Sequence, residues 1–320
     1  MTSRPTVLLT DYAWPDLGIE ARIIEGAGFR LVSGPAKAAA AEVIAGLAAE
    51  HRPAAIMTNW APVSAAAIAG SPPLRIVARL GVGLDNIAVA EATRRGIWVT
   101  NVPDYCIEEV SDHAVGMLLA WARELVRFDG EVKGGRWEPA SARMRRVRDL
   151  TCGIIGLGRT GRRTAEKLRG FGVRLLGHTR RADGVIDGVE TTKLEELLSR
   201  SDVVIVHLPL TADTHHLLGR ERIALMKPGA LLVNVSRGAV IDTPALIEAL
   251  ASGRLGGAAL DVLEDEPRVP PGLLRPNVIL TPHVAFSSDA SLRELRSKAS
   301  EEVVRVLRGE RPIEARNQPR

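Results

Sequence analysis

Cysteine is nearly missing from this chain: only Cys106 and Cys152 occur in 320 residues. Two thiols, one of them inside an apolar run, make no disulfide framework and read as the reduced thiols of a cytoplasmic protein. Aromatic side chains are equally sparse, at 3%, which speaks against an aromatic-rich β-sandwich and for an α/β interior filled with Leu, Val, Ile and Ala. No apolar run approaches the roughly 18 residues that would cross a bilayer. The apolar part of the opening MTSRPTVLLTD is too short for a signal peptide, so no membrane association is expected. Charge of one sign is lacking too: 42 basic residues face 38 acidic ones, net +4, with both signs spread along the chain. That balance gives no footing for nucleic acid, although its Arg-weighted side suits small anionic ligands.

What the chain does have is length for two domains and two series of βα alternation. TVLLTD (6–11), AAIMT (54–58) and RIVARLG (75–81) read as buried strands, with helices near 15–27, 38–50 and 64–69 between them. IWVTNVPD (97–104) is a further strand, and Tyr105 to about Phe128 reads as one long helix that crosses from the first domain to the second. Its face is marked by Val110, Ala114, Met117, Leu118 and Trp121. The Gly- and Arg-rich stretch 134–149 reads as an exposed connector. The second series comprises strands at 152–157, 173–178, 202–209, 229–236, 256–263 and 277–282, with helices at 159–170, 193–200 and 243–252. A charged amphipathic helix at about 291–309 returns to the first domain. The expected fold is α/β, with two Rossmann-like parallel-sheet domains. Residues 1–101 plus 288–320 form a split domain, and 102–287 form an inserted one.

GLGRTG (156–161) matches G-x-G-x-x-G, a weak signal by itself in a chain with 30 glycines. Here it follows a strand and opens a helix, as dinucleotide binding requires. Gly156 permits the turn, Gly158 lets a pyrophosphate approach, Gly161 lets helix and strand pack, and Arg159 and Thr160 begin the helix. At the end of the next strand an NAD site wants a carboxylate for the ribose hydroxyl. This chain instead has Thr179, Arg180 and Arg181, which would accept a 2′-phosphate, so NADP(H) is favoured over NAD(H). A solvated basic turn is the plainer alternative.

Three later strand ends each present one polar side chain. Arg237 in NVSRGAVID, with Gly238 allowing a turn, sits where open α/β sheets bind ligands; a structural Arg is the alternative. Glu266 precedes Pro267 but stands beside Glu264 and Asp265, and spacing does not choose among the three. His283 follows Pro282. Together an Arg, a carboxylate and a His form a kit for reducing a 2-oxo acid: a fork for the carboxylate, a proton donor, and an acid to turn the donor. In the first domain, Gly81, Val82 and Gly83 of ARLGVGLDNI offer unobstructed backbone N–H groups that could seat a carboxylate, with Arg79 adding charge. His113, His207, His215 and His216 show no zinc-like spacing, and no metal is expected.

In this order, GLGRTG, VHLPLTADT, NVSRGAVID, LDVLEDEP and TPH resemble the D-isomer-specific 2-hydroxyacid dehydrogenase family over nearly the whole chain. The resemblance implies a split substrate domain, an inserted cofactor domain, a homodimer, and turnover of a small 2-oxo or 2-hydroxy acid. It makes Arg237 the substrate-binding Arg, Glu266 the His-orienting acid and His283 the proton donor. Asp261 and the backbone near Val235 and Ser236 would face the nicotinamide, with Leu208, Pro209 and Thr214 along the cofactor. HVAF places Phe286 near the substrate, and with Arg79 and NVPDYCIEEVSDH this looks like the C-terminal-binding-protein or phosphoglycerate-dehydrogenase branch. A nicotinamide-sensing corepressor-like protein without turnover is therefore the alternative function.

Overall fold

A computed structural model describes residues 4–180 and 184–319. The chain forms two compact units, one of Met1–Tyr105 with Ser288–Arg320 and one of Cys106–Ser287.

The first unit opens with β1 (Thr6–Leu9), α1 (Gly18–Gly26), β2 (Arg30–Ser33), α2 (Ala41–His51), β3 (Ala55–Thr58), α3 (Ala65–Ala69), β4 (Ile76–Arg79), α4 (Val89–Arg94) and β5 (Trp98–Thr100). Its strands are all parallel, in the order β2-β1-β3-β4-β5. The central strands are buried on both faces, and Leu8, Leu9, Ile56, Met57, Ile76 and Val77 are wholly inaccessible, which is why they read as unbroken apolar runs. β2 lies at the sheet edge with Arg30 and Ser33 exposed. Its half-polar RLVS carries too little apolar signal to mark a strand.

The second unit begins with α5 (Ile107–Ala122) and α6 (Leu125–Lys133). The expected single helix across 105–128 is thus two, and α5 lies wholly inside this unit rather than crossing into it. The break is at Glu124, whose φ of 52° is left-handed. Its carboxylate accepts from the Arg143 backbone N–H at 2.7 Å and from Arg127 at 3.0 Å. The first of these bonds reaches forward to the 134–149 segment, so helical periodicity alone gives no sign of the break. That segment is largely exposed, but not all of its arginines are merely solvated. Arg145 stacks 4.1 Å from the Trp121 ring and donates to the Gly229 carbonyl at 3.2 Å.

There follow β6 (Thr151–Ile155), α7 (Arg159–Arg169), β7 (Arg174–His178), the short β8 (Gly184–Ile186) and β9 (Val189–Thr191), α8 (Leu194–Arg200), β10 (Val203–Val206), α9 (Arg220–Leu225), β11 (Ala230–Asn234), α10 (Thr243–Ala251), β12 (Leu255–Leu260) and β13 (Val278–Leu280). The sheet order is β13-β12-β11-β10-β6-β7-β9-β8, parallel except for the β8–β9 hairpin. Strand order reverses between β6 and β10, the point at which doubly wound sheets bind ligands beyond their carboxyl ends. Every polar strand end singled out in the sequence of this unit lies at that carboxyl edge.

The long α11 (Asp289–Leu307) completes the first unit. Its start is a capping box between Ser288 and Ser291, and it packs on α1, β3 and β4. Arg296 grips the fully buried Glu20 with two bonds of 2.8 and 2.7 Å, which ties the late helix to the first.

Candidate active site

The glycine loop after β6 has a distinct steric reason at each position. Gly156 has φ 99°, and a Cβ there would run into the His207 carbonyl. A Cβ on Gly161 would overlap the Gly156 carbonyl oxygen, whereas one on Gly158 would meet nothing within 4 Å. Gly158 caps α7, whose first residues Arg159 and Thr160 are exposed or partly exposed. The open approach to a helix N-terminus, with its free N–H groups, fits a pyrophosphate. After β7 stand the partly exposed Thr179 and the exposed Arg180. Arg180 lies 3.5 Å from Asp213, both side chains being largely in solvent, so the pair is a weak tether. Arg181 lies outside the described residues. After β10, Leu208 packs on the core and Pro209 is exposed. The buried Thr214 closes its own loop, its hydroxyl donating to the Pro209 carbonyl at 2.7 Å and accepting from the Thr211 N–H at 2.8 Å. The hydroxyl of Thr214 is thus committed to shaping the loop that was expected along the cofactor.

At the ends of β12 and β13 the three neighbouring acids separate. Glu266 Oε2 lies 2.8 Å from His283 Nδ1, and its Oε1 accepts from the Leu263 N–H at 2.9 Å. Glu264 turns instead to His216, 2.6 Å away. Burial opposes ionisation of Glu266, but the His283 hydrogen bond and charge, the Leu263 N–H and the nearby Arg237 together hold its carboxyl below the ordinary value. With Nδ1 engaged by the carboxylate, His283 has Nε2 left for a substrate proton. The Phe286 ring meets it edge-on, centroids 6.4 Å apart.

His283 itself has φ 53°, a left-handed backbone that is uncommon outside glycine and is found at sites where the surroundings enforce it. Asp261 does the enforcing. It is 2% exposed, and its carboxylate accepts from the Thr281 hydroxyl at 2.5 Å, the Val284 N–H at 2.9 Å and the Ala285 N–H at 2.9 Å. Its main-chain carbonyl takes the His283 N–H at 2.8 Å, and His113 on α5 adds a 3.0 Å bond to Thr281. The carboxylate of Asp261, expected to face a nicotinamide, is turned to the loop that carries His283. Thr281 and His113 fall inside the TPH and NVPDYCIEEVSDH segments, but nothing in the sequence marked either as a support of the His283 loop.

Arg237 stands at the turn after β11, with its Nη1 donating to the Ser236 carbonyl at 2.8 Å. The fully buried Asn234 shapes this turn. Its Oδ1 accepts from the Ser236 N–H and hydroxyl at 3.0 and 2.8 Å, and its Nδ2 donates to the Arg237 carbonyl at 2.8 Å. Val235, between them, is buried. Gly238 serves close approach more than turning: a Cβ there would overlap the Leu263 and Glu264 backbone, so its bare face brings the Arg237 turn against the loop of Glu266.

Within the first unit, Arg79 at the end of β4 is buried and donates to the Leu80 carbonyl and, at 3.4 Å, to Asn59. Its guanidinium lies so close to Gly81 that a Cβ there would sit 2.7 Å from Nη1. Val82 is 45% exposed at the crest of this loop and Gly83 partly so.

A sequence profile described as the NAD binding domain of D-isomer specific 2-hydroxyacid dehydrogenases matches residues 115–285. A glyoxylate reductase of Korarchaeum cryptofilum is 43% identical over 266 residues, 80% of each chain. Among solved structures, an NADPH-dependent glyoxylate/hydroxypyruvate reductase of Sinorhizobium meliloti, in complex with NADP and malonate, superposes with a TM-score of 0.85. It is 32% identical and the match covers 98% of this chain and 97% of that one. A D-lactate dehydrogenase of Aquifex aeolicus, complexed with NAD and lactic acid, gives a TM-score of 0.85 at 29% identity, covering 95% and 96%. With the glycine loop, the His–carboxylate pair and the Arg turn on one sheet edge, these likenesses settle the assignment: the chain belongs to the D-isomer-specific 2-hydroxyacid dehydrogenase family, nicotinamide-dependent oxidoreductases that interconvert small 2-oxo and 2-hydroxy acids.

Proposed function

We propose that this chain reduces glyoxylate or a 2-oxo acid of similar size, with NADPH preferred over NADH and His283 as the proton donor. The observation that carries this reading is the 2.8 Å pair of His283 Nδ1 and Glu266 Oε2, set beside the Arg237 turn. When bound, the nicotinamide supplies a hydride to C2 of the oxo acid. His283 gives the proton on Nε2 to the carbonyl oxygen, and Glu266 stabilises the charged ring and fixes its rotation. Arg237 grips the substrate carboxylate and carbonyl through its planar donors. Donors fixed in advance lower the barrier without reorganising during the step.

Size selection rests on Phe286, whose ring stands edge-on to His283 and restricts the room for a C3 substituent. In the first unit, the N–H groups of Val82 and Gly83 make a seat for a carboxylate, with Arg79 bracing the loop from beneath. Thr179 and Arg180 favour a 2′-phosphate, because the strand end itself carries no carboxylate before Asp183 and the solvent-exposed pairing of Arg180 with Asp213 is weak. A charge-assisted bond there is worth roughly 1.5–3 kcal/mol, about tenfold or more in kcat/KM. The exposed Leu125, Val126, Val132 and Trp137 provide apolar surface for the homodimer we also propose, which sedimentation equilibrium would measure. Turnover without partner protein distinguishes this reading from a corepressor-like binder.

Initial rates with glyoxylate, pyruvate, hydroxypyruvate and phenylpyruvate, each with NADH and NADPH, test the proposal. The expected pattern is highest kcat/KM for glyoxylate with NADPH. A preference for phenylpyruvate would remove Phe286 as a size filter, and a preference for NADH would show that Arg180 does not reach a 2′-phosphate.

A further inference from the structure

A second cluster of chemistry-bearing side chains lies in the same unit and shares the loop after β12 with Glu266. His215 and His216 follow one another in the segment between β10 and α9, and their rings stack with centroids 4.0 Å apart at 26°. His216 holds a left-handed φ of 50°, fixed by its N–H on the Ala239 carbonyl at 2.8 Å. Glu264 arrives from the β12 loop, 48 positions later, and sets Oε1 at 2.6 Å from His216 Nε2. One ligand atom from each of His215, His216 and Glu264 lies within 4.8 Å of the others. Asp242, Asp265, Arg220 and Arg268 line the same cavity as His216 and Glu264, and Arg220 is already paired with Glu248, so positive charge does not dominate there.

We infer that His215, His216 and Glu264 bind a divalent transition-metal ion of the Zn²⁺ type. Two imidazoles and one carboxylate suit zinc, cobalt and nickel and not calcium or magnesium, which want all-oxygen shells. Zinc–ligand bonds of about 2.0–2.2 Å place tetrahedral ligand atoms roughly 3.4 Å apart. The 2.6 Å pair must open slightly and the widest pair must close by somewhat more than that. The exposed His215 supplies the movement by side-chain rotation, and solvent water fills the remaining position. A bound ion would tie the 215–216 segment to the β12 loop, which two residues further on carries Glu266. Cys/His spacing along the chain pointed to no metal because Glu264 comes from a distant strand end. The inference goes beyond the oxo-acid reaction and does not depend on it.

Calorimetric titration of ZnCl₂ into the untagged chain tests it, with CoCl₂ followed by visible absorption as a geometric probe. The wild type should bind one equivalent, more weakly at pH 6 than at pH 7.5, since the imidazoles must be neutral to ligate. His215→Ala/His216→Asn should weaken this at least tenfold; Asn is chosen because it tolerates the left-handed backbone. Zinc at about a hundred times Kd should raise the wild-type Tm by about 5 °C or more and leave the double variant unmoved. Glu264→Gln, which keeps the side-chain shape, should weaken binding as well and decides the matter if the double variant has lost its native circular-dichroism spectrum. Absence of stoichiometric binding by the wild type, or equal binding by both variants, would overturn the assignment.

Discussion

Replacing Asp261 by Asn distinguishes a carboxylate that faces the cofactor from one that holds the catalytic loop. In the structure its oxygens take the Thr281 hydroxyl and the Val284 and Ala285 N–H groups. An amide supplies one oxygen and one NH₂, so whichever way it turns, a donor faces a donor. Bonds to a charged group contribute about 1.5–3 kcal/mol each, against about 1–2 kcal/mol for holding a non-glycine residue in the left-handed region. Loss of one such bond, with the repulsion that replaces it, consumes most of the margin that keeps His283 at φ 53°. A weakening of about 2 kcal/mol in the aligned loop corresponds to a fall in kcat of roughly 30-fold. The assay is steady-state reduction with both substrates varied, together with reduced-cofactor binding followed by fluorescence. kcat should fall while cofactor Kd changes less than threefold, and Thr281→Val should show the same pattern more weakly. An unchanged kcat with a raised cofactor KM would refute the reasoning and return Asp261 to the nicotinamide.

Other perturbations address the neighbouring groups. His283→Gln should lower kcat by about 10²–10⁴-fold with cofactor binding retained, as read by fluorescence titration. Glu266→Gln removes the charge beside His283, the proposed proton donor, and should lower kcat for reduction with cofactor Kd retained. A carboxyl held below its ordinary 4.5 contributes stability above that pH and loses it as pH falls further. The Tm gap between wild type and this variant should therefore close in acid. Gly161→Ala should abolish cofactor binding or folding of the second unit, because its Cβ overlaps the Gly156 carbonyl; a variant with normal cofactor Kd would show that the loop yields. Glu20→Ala leaves the Arg296 guanidinium buried without its carboxylate, and urea unfolding should report a loss of about 3 kcal/mol, whereas a loss under 1 kcal/mol would mean that Arg296 re-pairs with Asp16.

The strands that build both sheets were legible because burial on two faces forces continuous apolar runs, as at Leu8–Leu9 and Val203–Val206. What escaped notice lacked that pressure. β2 is a half-exposed edge, β8 and β9 are three-residue strands, and the helix break at Glu124 is set by a bond to Arg143 nineteen positions away. The glycine loop was legible residue by residue, since backbone sterics leave no other residue at Gly156 and Gly161.

The site shows the same division at finer scale. Strand ends announce themselves by a polar residue after an apolar run, and Arg237 and His283 were picked out that way, whereas Glu266 stood undistinguished beside two other acids. Which of three adjacent acids meets the histidine is a matter of loop path, and only the fold directs Glu266 to His283 and Glu264 to His216. The residues that hold the reacting groups were harder still. The family resemblance makes Asp261 a cofactor contact, yet strand ends also need acceptors for the N–H groups of the loops they launch. A carboxylate buried to 2% exposure with loop donors on both oxygens answers that need first. Asn234 does the same for the Arg237 turn. At this carboxyl edge, then, the backbones of Arg237 and His283 are each fixed by a buried polar side chain, Asn234 and Asp261. Distinguishing such a support from the residue it holds requires knowing which way the side chain points, and the order of residues does not carry that information.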